Sequence, residues 1–139
     1  MTKLSTTLSR FHIPKWVAWL YGILAIGLVP WVLILSYTLP TKNVSGNWDM
    51  AWVGFDLAIL FTVLLSTYFA LRQSGWVSLT LVSVATLLFT DAWFDVLLSR
   101  RGRQELTALV TALLFELPLA LVSLWISAKV SQQLIDSKD

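Results

Sequence analysis

Two carboxylates near the end of an apolar stretch are the side chains of this chain best placed to do chemistry. Asp91 and Asp95 lie four residues apart, within the apolar run that begins at Trp76. On an α-helix, residues i and i+4 project from one face, so both carboxylates point the same way. An Asp in the middle of a membrane costs roughly 2.5–3.5 kcal/mol and seldom faces lipid. We therefore expect both aspartates to face other protein groups, water or a bound cation.

The composition indicates that lipid covers much of the surface of the protein. Of the 139 residues, 57% are hydrophobic and 13% are charged, whereas soluble domains average about 45–50% apolar and about 25% charged residues. Four apolar stretches, at about 14–39, 48–71, 76–98 and 105–128, are each long enough to cross a bilayer as a helix. We predict an all-α fold, an integral membrane four-helix bundle that forms a single domain over residues 1–139.

The antiparallel order of these spans brings acids from three of them to similar depths. Spans two and four begin at the membrane face where span three ends. With a helical rise of about 1.5 Å per residue, Asp56 and Asp91 both lie roughly 10 Å from that face. Asp95 is shallower, Glu116 is near the middle of the bilayer, and Asp49 marks the rim. We predict that these acids share one site in one half of the membrane.

Aromatic residues occur at the same levels as the acids. Trp52 lies on the same helical stripe as Asp49 and Asp56, and Trp93 lies between the two aspartates of span three. Carboxylates and the faces of Trp rings both attract cations. The sequence therefore predicts a ligand-binding pocket formed by Asp49, Trp52, Asp56, Asp91, Trp93, Asp95 and Glu116.

The function that fits such a pocket best is the binding or transport of a cationic or protonatable small ligand. One alternative is an accessory or assembly subunit whose acids are structural, with Arg100, Arg101 and Arg103 folded back onto Asp95 and Asp49 and the other acids bonded to Ser, Thr or Trp side chains. A second alternative is a small membrane-embedded acid–base enzyme that acts on a lipid-like substrate. Because no nucleophile is accompanied by a base, we expect binding rather than catalysis.

Several classes of site are disfavoured by residue counts. The chain contains no cysteine and a single histidine, so disulfides, thiolate metal sites and His-rich metal sites are excluded. We expect no metal and no cofactor. The net charge is only +2 and the basic residues are scattered, which argues against a nucleic-acid partner.

Helix packing and topology follow from small residues, prolines and basic residues. Ala18 and Gly22 form a small-xxx-small pair in span one, and span four also carries a small-residue face, so a homodimer is one expectation. Pro118 should loosen the fourth helix beside Glu116.

The basic residues favour cytoplasmic N and C termini in the cell membrane. Six lie on the predicted inner side and four on the outer side: Lys3, Arg10, Lys15, Arg72, Lys129 and Lys138 against Lys42, Arg100, Arg101 and Arg103.

Three segments together resemble a group of small bacterial four-span membrane proteins to which no activity is assigned. They are Asn47–Asp56, Asp91–Asp95 and Glu116–Pro118, and the similarity covers roughly residues 40–125. The resemblance implies a bacterial inner-membrane location and an all-α membrane bundle. It does not extend to the small multidrug-resistance family, because the glutamate expected in the first span is absent here.

Overall fold

The computed structural model describes residues 12–39, 46–99 and 102–136. Within these ranges the chain forms helices joined by turns, with no strand. The elements are α1 (Lys15–Thr38), α2 (Trp48–Leu71), α3 (Trp76–Leu98), α4 (Arg103–Thr111), a π-helical turn (Ala112–Glu116) and α5 (Leu117–Asp136). Four helices, counting α4 to α5 as one of 34 residues, are long and apolar enough to cross a membrane. The all-α four-helix bundle is therefore confirmed.

The helix ends agree with the predicted spans except in the last helix. The bounds of α2 and α3 coincide with the predicted spans, and α1 differs by one residue at each end. The fourth helix runs from Arg103 to Asp136, so it continues eight residues beyond the predicted end of the span near residue 128. The polar residues after Ala128 remain helical, because Val130 is buried and Leu134 packs against the core.

Each helix packs against the next one in chain order. α1 packs against α2, α2 against α3, and α3 also against α4, the π turn and α5. In the described ranges, no Cα atom of α1 comes within 8 Å of α5. The buried apolar core is centred on Val17, Tyr21, Ile59, Leu81 and Ala120.

The small-residue pair of α1 packs within the same chain. Ala18 is buried, and a Cβ atom added at Gly22 would lie 3.7 Å from Cγ2 of Thr67 on α2. Ser123 and Ser127, on the small-residue face of the fourth helix, are also buried inside the bundle. The faces that suggested a homodimer are thus occupied by neighbouring helices of one chain.

A Schellman motif ends α2 and also anchors the segment before α1. The N–H of Ser74 bonds to the carbonyl of Phe69, and the N–H of Gln73 bonds to the carbonyl of Ala70. Gln73 occupies the left-handed position with φ 52°, where glycine is usual. Its side chain accepts the N–H of Ile13 at 2.6 Å and donates to the carbonyl of Ile13 at 2.8 Å. A glutamine at this position therefore joins the turn to the buried Ile13.

Hydroxyl groups also join the helices in the half of the bundle that contains the α2–α3 turn. We call it the turn half. It contains the beginnings of α1 and α3 and the ends of α2 and α5. Ser78 on α3 lies 2.8 Å from the hydroxyls of both Ser127 and Ser131 on α5, and the Ser127 hydroxyl donates to the carbonyl of Ser78. The opposite half, with the ends of α1 and α3 and the beginnings of α2 and α4, is called the acid half below.

The π turn keeps one face of the fourth helix directed inward. Ala108, Ala112, Glu116 and Ala120 are spaced by four residues, and the three alanines are buried. An α-helix has 3.6 residues per turn, so each step of four rotates a side chain by about 40°. The wider turn corrects this drift, with the N–H of Leu117 bonded to the carbonyl of Ala112. The prediction that the helix loosens near Pro118 is confirmed.

Candidate functional site

Four of the predicted site residues come together in the acid half. Asp56 projects from α2, Asp91 and Asp95 project from α3, and Glu116 is the last residue of the π turn. Each of the four carboxylates lies within electrostatic range of the other three. We call these four residues the acid cluster. The i, i+4 spacing of the α3 pair and the π turn of the fourth helix are the local features that direct them to one place.

The acid cluster is withdrawn from solvent to different degrees. Asp56 is 4% exposed, while Asp91, Asp95 and Glu116 are half-buried. The Oε2 atom of Glu116 is buried and has no hydrogen-bond partner within the described part of the chain. A buried carboxylate oxygen without a partner is costly and therefore uncommon in native proteins.

Trp31 of α1 is a further residue near the acid cluster, and the sequence pattern did not single it out. Its side chain lies near the Asp56 carboxylate. Trp31 precedes the end of α1 by seven residues, and Asp56 follows the beginning of α2 by eight, which places both at a similar depth of about 10–12 Å. The signal in the sequence was this common depth, since the rise per residue relates Trp31 of the first span to Asp56 as it relates the acids to one another.

Within the described residues, no basic side chain compensates the negative charge of the acid cluster, because no Lys or Arg is paired with it. Hydroxyls close to it bond instead to their own helix: Thr90 donates to the carbonyl of Thr86, and Ser99 donates to the carbonyl of Asp95. The proposed ion pair of Arg103 with Asp95 or Asp49 is not formed, while Arg100 and Arg101 lie outside the described residues.

Trp52 belongs to a row of aromatic rings along α2. Its ring centroid lies 5.7 Å from that of Trp48 and 6.3 Å from that of Phe55, and both contacts are edge-to-face. These rings form one wall of a groove of about 250 Å³ between α2 and α3. We call it the aromatic groove, and its lining residues are Trp48, Ala51, Trp52, Phe55, Phe94 and Leu98.

Two predicted site residues lie outside both the acid cluster and the aromatic groove. Trp93 is 66% exposed, because two residues along an α-helix turn a side chain about 160° away from both Asp91 and Asp95. Asp49 is half-buried in the first turn of α2, roughly 10 Å along the helix axis from Asp56. At that position its carboxylate interacts favourably with the helix N-terminus.

The arrangement places negative charge beside aromatic rings, and both features attract cations. In the described ranges, no group of three or more His, Cys, Asp or Glu residues is positioned to hold a metal ion. Comparisons with protein-family models, curated proteins and solved structures find no match for this chain. The features that bear on function are therefore the four carboxylates of the acid cluster and the aromatic rings beside them.

Proposed function

We propose that the protein binds or transports a cationic or protonatable small ligand at the acid cluster, within the membrane. The observation that carries this proposal is the buried Oε2 atom of Glu116, which has no hydrogen-bond partner among the described residues although it lies near three other carboxylates. A bound cation would supply the missing partner and offset the repulsion between Asp56, Asp91 and Asp95. Acidic residues inside a membrane bundle commonly mark ion or substrate pathways.

The structural alternative, in which the acids only hold helices together, requires donors that the described residues do not provide. Trp31 lies near Asp56 alone. Asp91, Asp95 and Glu116 receive no hydrogen bond from a described hydroxyl or basic side chain. Carboxylates that join helices would be bonded across the interface, as the serines of the turn half are.

The binding test compares neutral isosteres at the acid cluster with an isostere elsewhere on the fourth helix. Asp56→Asn, Asp91→Asn and Glu116→Gln should each weaken binding of tetramethylammonium or benzyltrimethylammonium at least tenfold, measured by calorimetry in lipid nanodiscs. Glu105→Gln removes a charge from an exposed position and should bind as the wild type does. Wild-type affinity in all three cluster variants would overturn the proposal. Failure of all three to accumulate in membranes, with normal accumulation of Glu105→Gln, would favour the structural alternative.

Transport and simple binding are separated by flux. In proteoliposomes, movement of the cation driven by its own gradient or by a pH gradient would indicate a transporter, and Asp91→Asn should abolish it. Binding that depends on the acidic residues of the cluster, without movement of the cation across the membrane, would indicate a binding protein. An enzyme would require product formation from added lipids, which the same vesicles allow to be measured.

We infer that the protein lies in the cell membrane with both termini in the cytoplasm. The four membrane-length helices support a multi-pass protein with both ends on one side, and the distribution of Lys and Arg supports this orientation. The native chain contains no cysteine, so single cysteines at Lys42 or Arg101 should react with an impermeant thiol reagent added outside intact cells. Arg72→Cys, in the exposed α2–α3 turn, should react only after lysis. The reverse labelling would invert the orientation.

A further inference from the structure

The aromatic groove neighbours the acid cluster along α2 and α3, although none of its lining residues is a carboxylate. Phe55 precedes Asp56 on α2, Phe94 precedes Asp95 on α3, and Trp52 lies one helical turn from Asp56 towards the end of the bundle. One turn of α-helix rises about 5.4 Å. A ligand whose charged group sits at the acid cluster therefore has the rest of its structure at the level of these rings.

The surface of the groove is suited to an apolar body. Its wall consists of aromatic and aliphatic side chains. Trp52 meets the rings of Trp48 and Phe55 at 66° and 82°, so each ring fixes the orientation of its neighbour. A volume of about 250 Å³ is slightly below the range typical for small-molecule pockets, about 300–1,000 Å³, so the groove accommodates a body the size of one aromatic ring.

Charge complementarity distinguishes between the occupants that such a groove could accept. A neutral acyl chain gains nothing from four neighbouring carboxylates, and an anionic headgroup is repelled by them. A cation gains from the carboxylates and from the faces of the aromatic rings. The buried Oε2 atom of Glu116 has no partner among the described residues, and it is the same atom that supports cation binding at the acid cluster.

We propose that the ligand is an organic cation with an attached aromatic or apolar body, and that this body occupies the aromatic groove while the charge lies at the acid cluster. This proposal rests on the proposed function, because it specifies the chemical class of the ligand bound at the same carboxylates. Specificity then comes from two separate parts of the site. The carboxylates of Asp56, Asp91, Asp95 and Glu116 select for positive charge, and the rings of Trp52, Phe55 and Phe94 select for the apolar body.

The test uses two quaternary ammonium ions of the same charge. Tetramethylammonium reports on the acid cluster, and benzyltrimethylammonium adds one aromatic ring. In nanodiscs, the wild type should bind the benzyl compound roughly tenfold more tightly, the ratio that corresponds to one cation–π and apolar contact of about 1.4 kcal/mol. Trp52→Leu and Phe94→Leu should each reduce this ratio to about two or less. Trp76→Leu replaces a 65% exposed Trp at the other end of α3 and should leave the ratio unchanged.

Other outcomes would overturn the inference. A wild-type ratio near one would show that the groove makes no contact with the ligand, as expected if a lipid acyl chain fills it. A ratio that is unchanged in both Trp52→Leu and Phe94→Leu, or reduced equally in Trp76→Leu, would place the apolar body elsewhere. Failure of the proposed function would give a different result. In that case the binding of tetramethylammonium would not depend on the acidic residues of the cluster.

Discussion

The hydroxyls of Tyr21 and Ser123 lie 2.5 Å apart and join α1 to α5. Both side chains are fully buried, and no Cα atoms of the two helices approach within 8 Å in the described ranges. Ser123 has one hydroxyl hydrogen, which it donates to the carbonyl of Leu119 at 2.7 Å. Tyr21 is therefore the donor in the bond between the helices. A long aromatic side chain bridges a separation that the helix backbones leave open.

We expect Tyr21→Phe to reduce the free energy of unfolding by about 0.6–1.7 kcal/mol, the range of side-chain hydrogen bonds between membrane helices. The ring keeps its packing and only the donor is lost. Unfolding in SDS of the protein reconstituted in mixed micelles would measure the change. Tyr37→Phe removes a hydroxyl from a side chain that is 86% exposed and should be neutral. An equal loss in the two variants would contradict the bridging role.

We expect Gln73→Ala to be more destabilising, by about 2–3 kcal/mol. It removes both bonds to the buried backbone of Ile13 and leaves that N–H and carbonyl unpaired. Gln73→Gly loses the same bonds but suits the positive φ of 52°, so it should be less destabilising than Gln73→Ala by about 1 kcal/mol. Gln132→Ala, at an exposed position on α5, serves as the control. Equal effects of the alanine and glycine variants would show that the backbone is not strained at this position.

We expect Gly22→Ala to be tolerated, although small-xxx-small pairs often require glycine. The added methyl group would lie 3.7 Å from Cγ2 of Thr67, an ordinary contact, and alanine favours the helix by roughly 0.5–1 kcal/mol. Gly22→Leu should separate α1 from α2 and lower the thermal midpoint by several degrees. Strong destabilisation by Gly22→Ala would mean that the interface between α1 and α2 cannot accommodate the added methyl group.

We expect Asp91→Asn to raise the free energy of unfolding of the ligand-free protein by roughly 1 kcal/mol. It removes one of four carboxylates that interact electrostatically with one another, while the shape of the side chain is kept. Thermal unfolding without added cation would show a higher midpoint, and Glu105→Gln should show no change. A marked loss of stability in Asp91→Asn alone would indicate that this carboxylate is a structural acceptor.

The features that sequence predicted well depend on long stretches or on fixed helical spacing. The uninterrupted apolar runs of α2 and α3 marked their ends, since turn-forming residues such as Gly75 flank them. The convergence of Asp56 with Asp91 followed from the rise per residue and the antiparallel order. The expectation that Pro118 loosens the fourth helix beside Glu116 agrees with the π turn that ends at Glu116.

The features that sequence missed depend on tertiary contacts. The fourth helix extends to Asp136 because Val130 is buried among other helices, which no local pattern reveals. The contact between Trp31 and Asp56 joins residues 25 positions apart on different helices. Trp93 shared the level of the acids, yet the rotation of two residues along the helix turned it outward. Depth alone was therefore not sufficient to assign the walls of the site.

The hydrogen bonds between helices are distributed unevenly along the bundle axis. Those formed by Gln73, Tyr21 and Ser78 all lie in the turn half, whereas in the acid half of the described chain Trp31 beside Asp56 is the polar contact between helices. Fewer polar bonds oppose the separation of helix ends there, and mutual repulsion of carboxylates assists it. Polar bonds therefore hold the helices together more firmly at one end of the molecule than at the other. The amplitude of helix motion should increase steadily from Gln73 towards Asp49. A ligand would enter from the more mobile end.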